Sequence, residues 1–193
     1  MFIETETTPN PAALKFLPGR PVMMTGTREF ATPEAAEASP LAQAIFDTGE
    51  VVNVFYGYDF VTVTGAPGAD WAALRPQVIA ILLDHFVSEA PLFPTGTASG
   101  IAVPPAEEEM AVEERPEDAE VIAAINELLE TRVRPAVAGD GGDIAYRGFR
   151  DGIVYLTLQG SCSGCPSSTA TLKHGIEGLL KHYVPEVIEV RAA

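Results

Sequence analysis

Two cysteines, Cys162 and Cys165, are the only thiols in 193 residues, and they stand three positions apart in Gly160-Ser161-Cys162-Ser163-Gly164-Cys165-Pro166. A C-x-x-C spacing brings two sulfurs within reach of one metal or cluster atom, or close enough to close a small disulfide ring. Three chemistries follow: a thiol-disulfide couple, a zinc site, or an iron-sulfur site. Two thiolates from one chain cannot complete the four-cysteine coordination of an iron-sulfur cluster. A cluster held here requires two chains, each giving Cys162 and Cys165, with the cluster at their interface and exposed enough to be passed on.

The flanking residues place the pair. Residues 153–159 (IVYLTLQ) alternate and are rich in β-branched and aromatic side chains, which predicts a strand. Beyond the pair, Leu172, Ile176, Leu179, Leu180 and Tyr183 recur at helical spacing, with Ser167 and Ser168 as candidate caps. The cysteines thus sit on a strand-to-helix loop facing the positive end of a helix dipole, which favours thiolate over thiol. Gly160 and Gly164 leave the loop without side chains to block a ligand, and its Gly/Ser composition offers little apolar cover for a buried, inert pair.

A thioredoxin-like redox module also carries C-x-x-C on a strand-to-helix loop, but needs a repeated parallel-strand pattern that is missing here. A zinc site would recruit His174 and His182, at a C-x2-C-x8-H-x7-H spacing unlike that of a finger. His174, two positions from both Leu172 and Ile176, is expected on the solvent side of its helix. Thiolates bind zinc well enough for it to occupy the cysteines in any case.

Upstream, Pro116 can open a helix with Glu117, Asp118 and Glu120 in its first turn and Val121, Ile122, Ile125, Leu128 and Leu129 as its apolar stripe. After Arg134-Pro135, residues 138–143 (AGDGGD) are too glycine-rich for regular structure. They lack the lysine and hydroxyl of a phosphate loop, and their aspartates would repel phosphate, so a tight turn packed near the cysteine loop is expected. Strands over 144–149 and 153–159 flank Asp151-Gly152, a hairpin signal, and 187–190 supply a last strand. The order is helix-strand-strand-helix-strand.

The N-terminal half predicts another small α+β unit. Strands are expected over 2–6, 14–17, 51–56 and 60–64, the last two as a hairpin through Gly57-Tyr58-Asp59. Ser39-Pro40 starts one helix and Asp70 caps a longer one, bent at Pro76 and carrying Trp71, Leu74, Val78, Ile81, Leu82 and Phe86. Residues 22–37 give mixed signals.

Between the halves, 89–115 is rich in Pro, Gly and Glu and aperiodic, which predicts a flexible linker. Residues 101–120 hold eight acidic side chains against the single Arg115, hence seven of the fifteen net negative charges. The expected fold class is two small α+β domains, 1–88 and 116–193, joined by this acidic linker. A net charge of −15 argues against nucleic acid and anionic membrane as partners. The first residues, MFIETE, have no signal- or transit-peptide character, so a cytoplasmic location is expected.

The second unit resembles the NifU-like C-terminal domain of Nfu-type iron-sulfur cluster scaffold and carrier proteins, through Arg134-Pro135, Asp140-Gly141-Gly142-Asp143 and Gly160 to Ser168. The first is similar to the domain preceding it in mitochondrial and related bacterial members, through Thr8-Pro9-Asn10-Pro11, Leu14-Lys15-Phe16-Leu17-Pro18-Gly19, Ser39-Pro40-Leu41-Ala42 and Asp59-Phe60-Val61-Thr62-Val63. The resemblance implies a [4Fe-4S] cluster, ahead of [2Fe-2S] or zinc, bridging a homodimer through Cys162 and Cys165. It also implies receipt from upstream assembly proteins and delivery to apo iron-sulfur clients, without enzymatic turnover. Asn10, Lys15 and Asp59 are expected at turns or on the surface, where client choice or help with dimerisation would be their role.

Overall fold

β-branched and aromatic runs become strands in both halves of the chain. A computed structural model describes residues 2–94, 115–162 and 166–192, which form two compact units, one within Met1–Ile101 and the other within Ala102–Ala193. The expected linker of 89–115 lies mostly outside the described residues.

In the first unit β1 (Glu4–Thr7), β2 (Ala13–Leu17), β3 (Arg28–Phe30), β4 (Val51–Tyr56) and β5 (Val61–Gly65) form an antiparallel sheet in the order β1-β2-β5-β4-β3. Phe16, Val54, Tyr56, Val61 and Val63 alternate onto the face that packs with Leu41 and Ile45 of α2 (Pro40–Phe46) and Leu74, Val78 and Leu82 of α3 (Trp71–Val87). Ser39 caps α2, accepting from the Ala42 N–H at 3.4 Å, and shares a 2.9 Å hydrogen bond with the Tyr56 hydroxyl inside the core. Asp70 caps α3, which continues through Pro76 to Val87.

The stretch of mixed signals is resolved here, and one expectation is corrected. The mixed stretch contains β3 and a one-turn helix α1 (Pro33–Ala36) capped by Thr32. Lys15 is buried within a strand and not at a turn or on the surface, whereas Asn10, though buried, sits in a turn as expected. Lys15 lies on the sheet face opposite α2 and α3, its Nζ 4.8 Å from the centre of the Phe60 ring and 3.2 Å from Glu6. Burying its stem beneath a paired charge makes that position tolerable. Asn10 accepts the Ala12 N–H at 3.0 Å inside the turn between β1 and β2. Asp59 is exposed, as expected.

The second unit opens with a 3-10 turn (Pro116–Asp118), then α4 (Ala119–Leu128), a π-helical turn (Leu129–Val133) and α5 (Arg134–Gly139). Pro135 has no N–H to donate, and the widened turn just before it carries the helix past that point. The run expected to be irregular is therefore regular at both ends, with α5 reaching Gly139 and β6 (Gly142–Arg150) starting at Gly142. Gly141, at φ 83°, supplies the left-handed residue that ends the helix. β6 pairs antiparallel with β7 (Ile153–Gly160) through Asp151-Gly152, both at positive φ, as a tight hairpin turn demands. α6 (Pro166–Tyr183) crosses to β8 (Glu189–Ala192), which lies parallel to β7, giving the order β6-β7-β8. β8 begins later than the expected strand. Ile125, Leu129, Val137, Ile144, Val154, Leu156, Ile176 and Leu180 form the core. Tyr183 departs from its expected stripe, being 50% exposed with the Arg132 guanidinium 5.0 Å over its ring.

His85 on α3 is buried and its Nε2 finds no hydrogen-bond partner among the described residues. Burial holds its imidazole below the ordinary histidine range, and Asp84 opposes that shift. The folded chain then binds fewer protons at this site than the unfolded chain, so its contribution is complete above about pH 6.5 and is lost as pH falls below that value. Urea unfolding of the first unit should show lower stability at about pH 5 than at about pH 7.5, and His85→Leu should flatten that difference. An unchanged difference in the variant would show that other groups cause it.

Candidate functional site

The end of β7 places the first cysteine. Gly160 pairs with Gly142 across the hairpin, Ser161 and Cys162 follow, and α6 starts at Pro166, so the pair does sit between a strand and a helix. Cys165 lies outside the described residues, as do Ser163 and Gly164. Ser167 and Ser168, the expected caps, fall inside the first turn of α6 rather than before it.

Cys162 is not exposed. It is 4% accessible and belongs to the core of the second unit. The turn between α5 and β6, which sequence reasoning placed nearby without seeing how closely it packs, supplies part of its cover. The Ser161 N–H donates to the Gly141 carbonyl at 3.2 Å, and the Ser161 hydroxyl donates to the Asp140 carbonyl. The Ser161 Oγ stands 3.7 Å from Cys162 Sγ. With the hydroxyl proton directed at Asp140, the thiol is the donor in that contact.

Burial pushes the Cys162 thiol above its ordinary range. The Asp140 carboxylate pushes the same way, and a Ser161 hydroxyl turned toward the sulfur would oppose both. The expectation that a helix dipole favours thiolate is thus corrected for Cys162: desolvation outweighs it in the cluster-free chain.

Arg134 and Asp143 close the turn from behind. Arg134 Nε and a terminal nitrogen donate to the two Asp143 oxygens at 3.1 and 3.2 Å, a two-point fork between the start of α5 and the second residue of β6. Arg134 also reaches Glu130 at 2.6 Å. The Asp143 side chain is 9% exposed. These two residues carried the resemblance, but their contact across the glycine turn was not read from their nine-residue separation.

The zinc alternative gains no support. His174 and His182 are both exposed, and no group of three or more His, Cys, Asp or Glu among the described residues could hold a metal ion.

Two α+β units, the second carrying a C-x-x-C between strand and helix, define a two-domain protein of the NifU-like class. Residues 125–191 match the NifU-like domain and residues 3–89 match the scaffold protein Nfu/NifU N terminal. Over 97% of its length the chain is 50% identical to the human protein named NFU1 iron-sulfur cluster scaffold homolog, mitochondrial, and covers 70% of it. NifU-like protein 5, mitochondrial, of Arabidopsis thaliana is 51% identical over 97% of this chain and 66% of its own length. The NFU1 scaffold homolog of Drosophila ananassae is 44% identical over 98% of this chain and 63% of its own. The chain thus spans about two thirds of these relatives, and it belongs to the Nfu family of iron-sulfur cluster scaffold proteins.

The mitochondrial names of these relatives overturn the expected cytoplasmic location, which stood only on the composition of the first residues. No helix among the described residues is long and apolar enough to cross a membrane.

Gly142 is the tightest point of the site. A Cβ there would stand 2.5 Å from the Gln159 carbonyl oxygen and 3.0 Å from Cys162 Sγ. Gly142→Ala should cost the second unit about 1–3 kcal/mol, read as a lower denaturant midpoint, because backbone on the paired strand cannot yield. An unchanged midpoint would show that the hairpin end relaxes freely.

Proposed function

We propose that the chain holds a [4Fe-4S] cluster between two copies of itself, each supplying Cys162 and Cys165, and passes it to apo iron-sulfur proteins. Residues 116–193 hold the cargo, 1–88 form the accessory domain, and 89–115 link them. Upstream assembly proteins supply the cluster, and the chain performs no turnover of its own. What carries this reading is the number of thiols: two per chain, on one strand-to-helix turn, in a member of an iron-sulfur scaffold family. A four-thiolate cargo then demands a second chain, and each ligand half-site can separate again when the cargo leaves.

Cys162 itself does not suit the attacking position of a thiol-disulfide module. An attacking thiol in such a module is accessible and has a depressed pKa, whereas Cys162 is buried with its pKa raised.

Anaerobic reconstitution with iron and sulfide should give about four irons per two chains, and incubation with an apo iron-sulfur acceptor should restore the acceptor's absorbance and activity. Cys162→Ala and Cys165→Ala should each abolish both. A chain that takes up one zinc and no iron under these conditions, or that cycles as a disulfide and reduces a test substrate, would replace the proposal.

A further inference from the structure

A thiol that is 4% accessible and hydrogen-bonded inward cannot be shared with a second chain from that position. It has to turn out first, and what holds it in is identifiable. Cys162 Sγ meets the Ser161 hydroxyl, which is fixed by the Asp140 carbonyl, while the Ser161 N–H is fixed by the Gly141 carbonyl. Gly142 closes against the sulfur from β6, with room for no side chain. The partners that fix Ser161 and close on the sulfur thus all lie at 140–142, the two-residue gap between α5 and β6 and the first residue of β6. The fork between Arg134 and Asp143 grips α5 and β6 on either side of that turn, with the Asp143 carboxylate largely buried.

We propose that Arg134 and Asp143 are positioning residues for Cys162: by fixing the turn at 140–142 they hold the thiol inward in the cluster-free chain and set how readily it swings out to a ligand position. Both act through the Asp140 and Gly141 carbonyls and the Gly142 backbone. The functional consequence rests on the reading of Cys162 as a cluster ligand, while the inward hold itself does not.

Two-point geometry is what the fork adds over a single contact. Arg134→Lys keeps the charge and loses one of the two parallel hydrogen bonds, and Asp143→Asn keeps the shape and loses the charge. Either change should let the turn open more often without unfolding the core, whose apolar members are elsewhere on α4, α5, α6 and the sheet. Loss of a strong, largely desolvated hydrogen bond is expected to raise the frequency of opening by about tenfold.

The test is the rate at which iodoacetamide alkylates Cys162 in the folded, reduced, metal-free full-length chain, followed by mass spectrometry of the peptide that carries it. In the unsubstituted protein Cys162 should react at least about a hundredfold more slowly than in denaturant. Asp143→Asn should accelerate it about tenfold and Arg134→Lys by less. Val154→Ala, in the same core but away from the turn, serves as the control for general loss of stability, and at equal loss of unfolding free energy it should accelerate alkylation less than Asp143→Asn. Rapid alkylation in the unsubstituted chain would overturn the proposal, as would equal acceleration by Asp143→Asn and Val154→Ala. The rate of anaerobic cluster loading, measured on the same variants, should rise with the alkylation rate. A chain that shows the alkylation pattern but loads no cluster would refute the cluster reading and leave the inward hold standing. Loading without the alkylation pattern would do the reverse.

Discussion

Four thiolates are needed to hold a cubane cluster through cysteine alone, and each chain has two. The shared site proposed for the second unit follows from that shortage. A site completed by one chain could be built inside a core, but a shared site has to lie where two surfaces meet. The hairpin of β6 and β7 brings Cys162 to the end of a strand, ahead of the start of α6.

Against that requirement stands the burial of Cys162. An apolar thiol gains by leaving water, and here the gain is realised by a turn contributed from a different part of the chain, the junction of α5 and β6. Two demands meet at one atom: a ligand sulfur must be reachable, and an idle thiol is stabilised by being covered. The proposed role as a carrier calls for both, because such a site is empty for part of every delivery cycle. The glycine pair at 141–142 makes the covering turn narrow enough to close over sulfur, and the charged fork of Arg134 and Asp143 gives the narrow turn a fixed shape. The sheet of the first unit buries Phe16, Tyr56 and Val61 against two helices, and its surface is free to serve other contacts.

Much of the fold was legible because its signals are local. Ser39 and Asp70 announce helix starts through side chains that cap within three residues, and Asp151-Gly152 announces the hairpin because its backbone needs positive φ. Alternation over 153–159 and helical spacing from Leu172 placed the cysteines between strand and helix. What escaped depends on distant partners. β3 is three residues long and is defined by pairing with β4, not by any pattern of its own. Over 138–143 glycine propensity opposes both helix and strand, which predicts irregular structure, yet tertiary pairing of Gly142 with Gly160 overrides it. The inward position of Cys162 was the largest miss. A loop made of glycine and serine has no cover to offer, and contacts that help bury Cys162 come from residues some twenty positions upstream and from the apolar core. Lys15 was misplaced for a similar reason, since its aromatic neighbour Phe60 lies on another strand's approach.

Native mass spectrometry of the anaerobically reconstituted full-length chain, run beside the metal-free protein, addresses the shared site most directly. The account predicts that the reconstituted sample shows two chains plus the mass of one [4Fe-4S] unit, that collisional loss of the cluster separates the chains, and that the metal-free sample is a single chain. A single chain retaining a cluster or one metal ion, or two chains that stay together once the iron is gone, would contradict it.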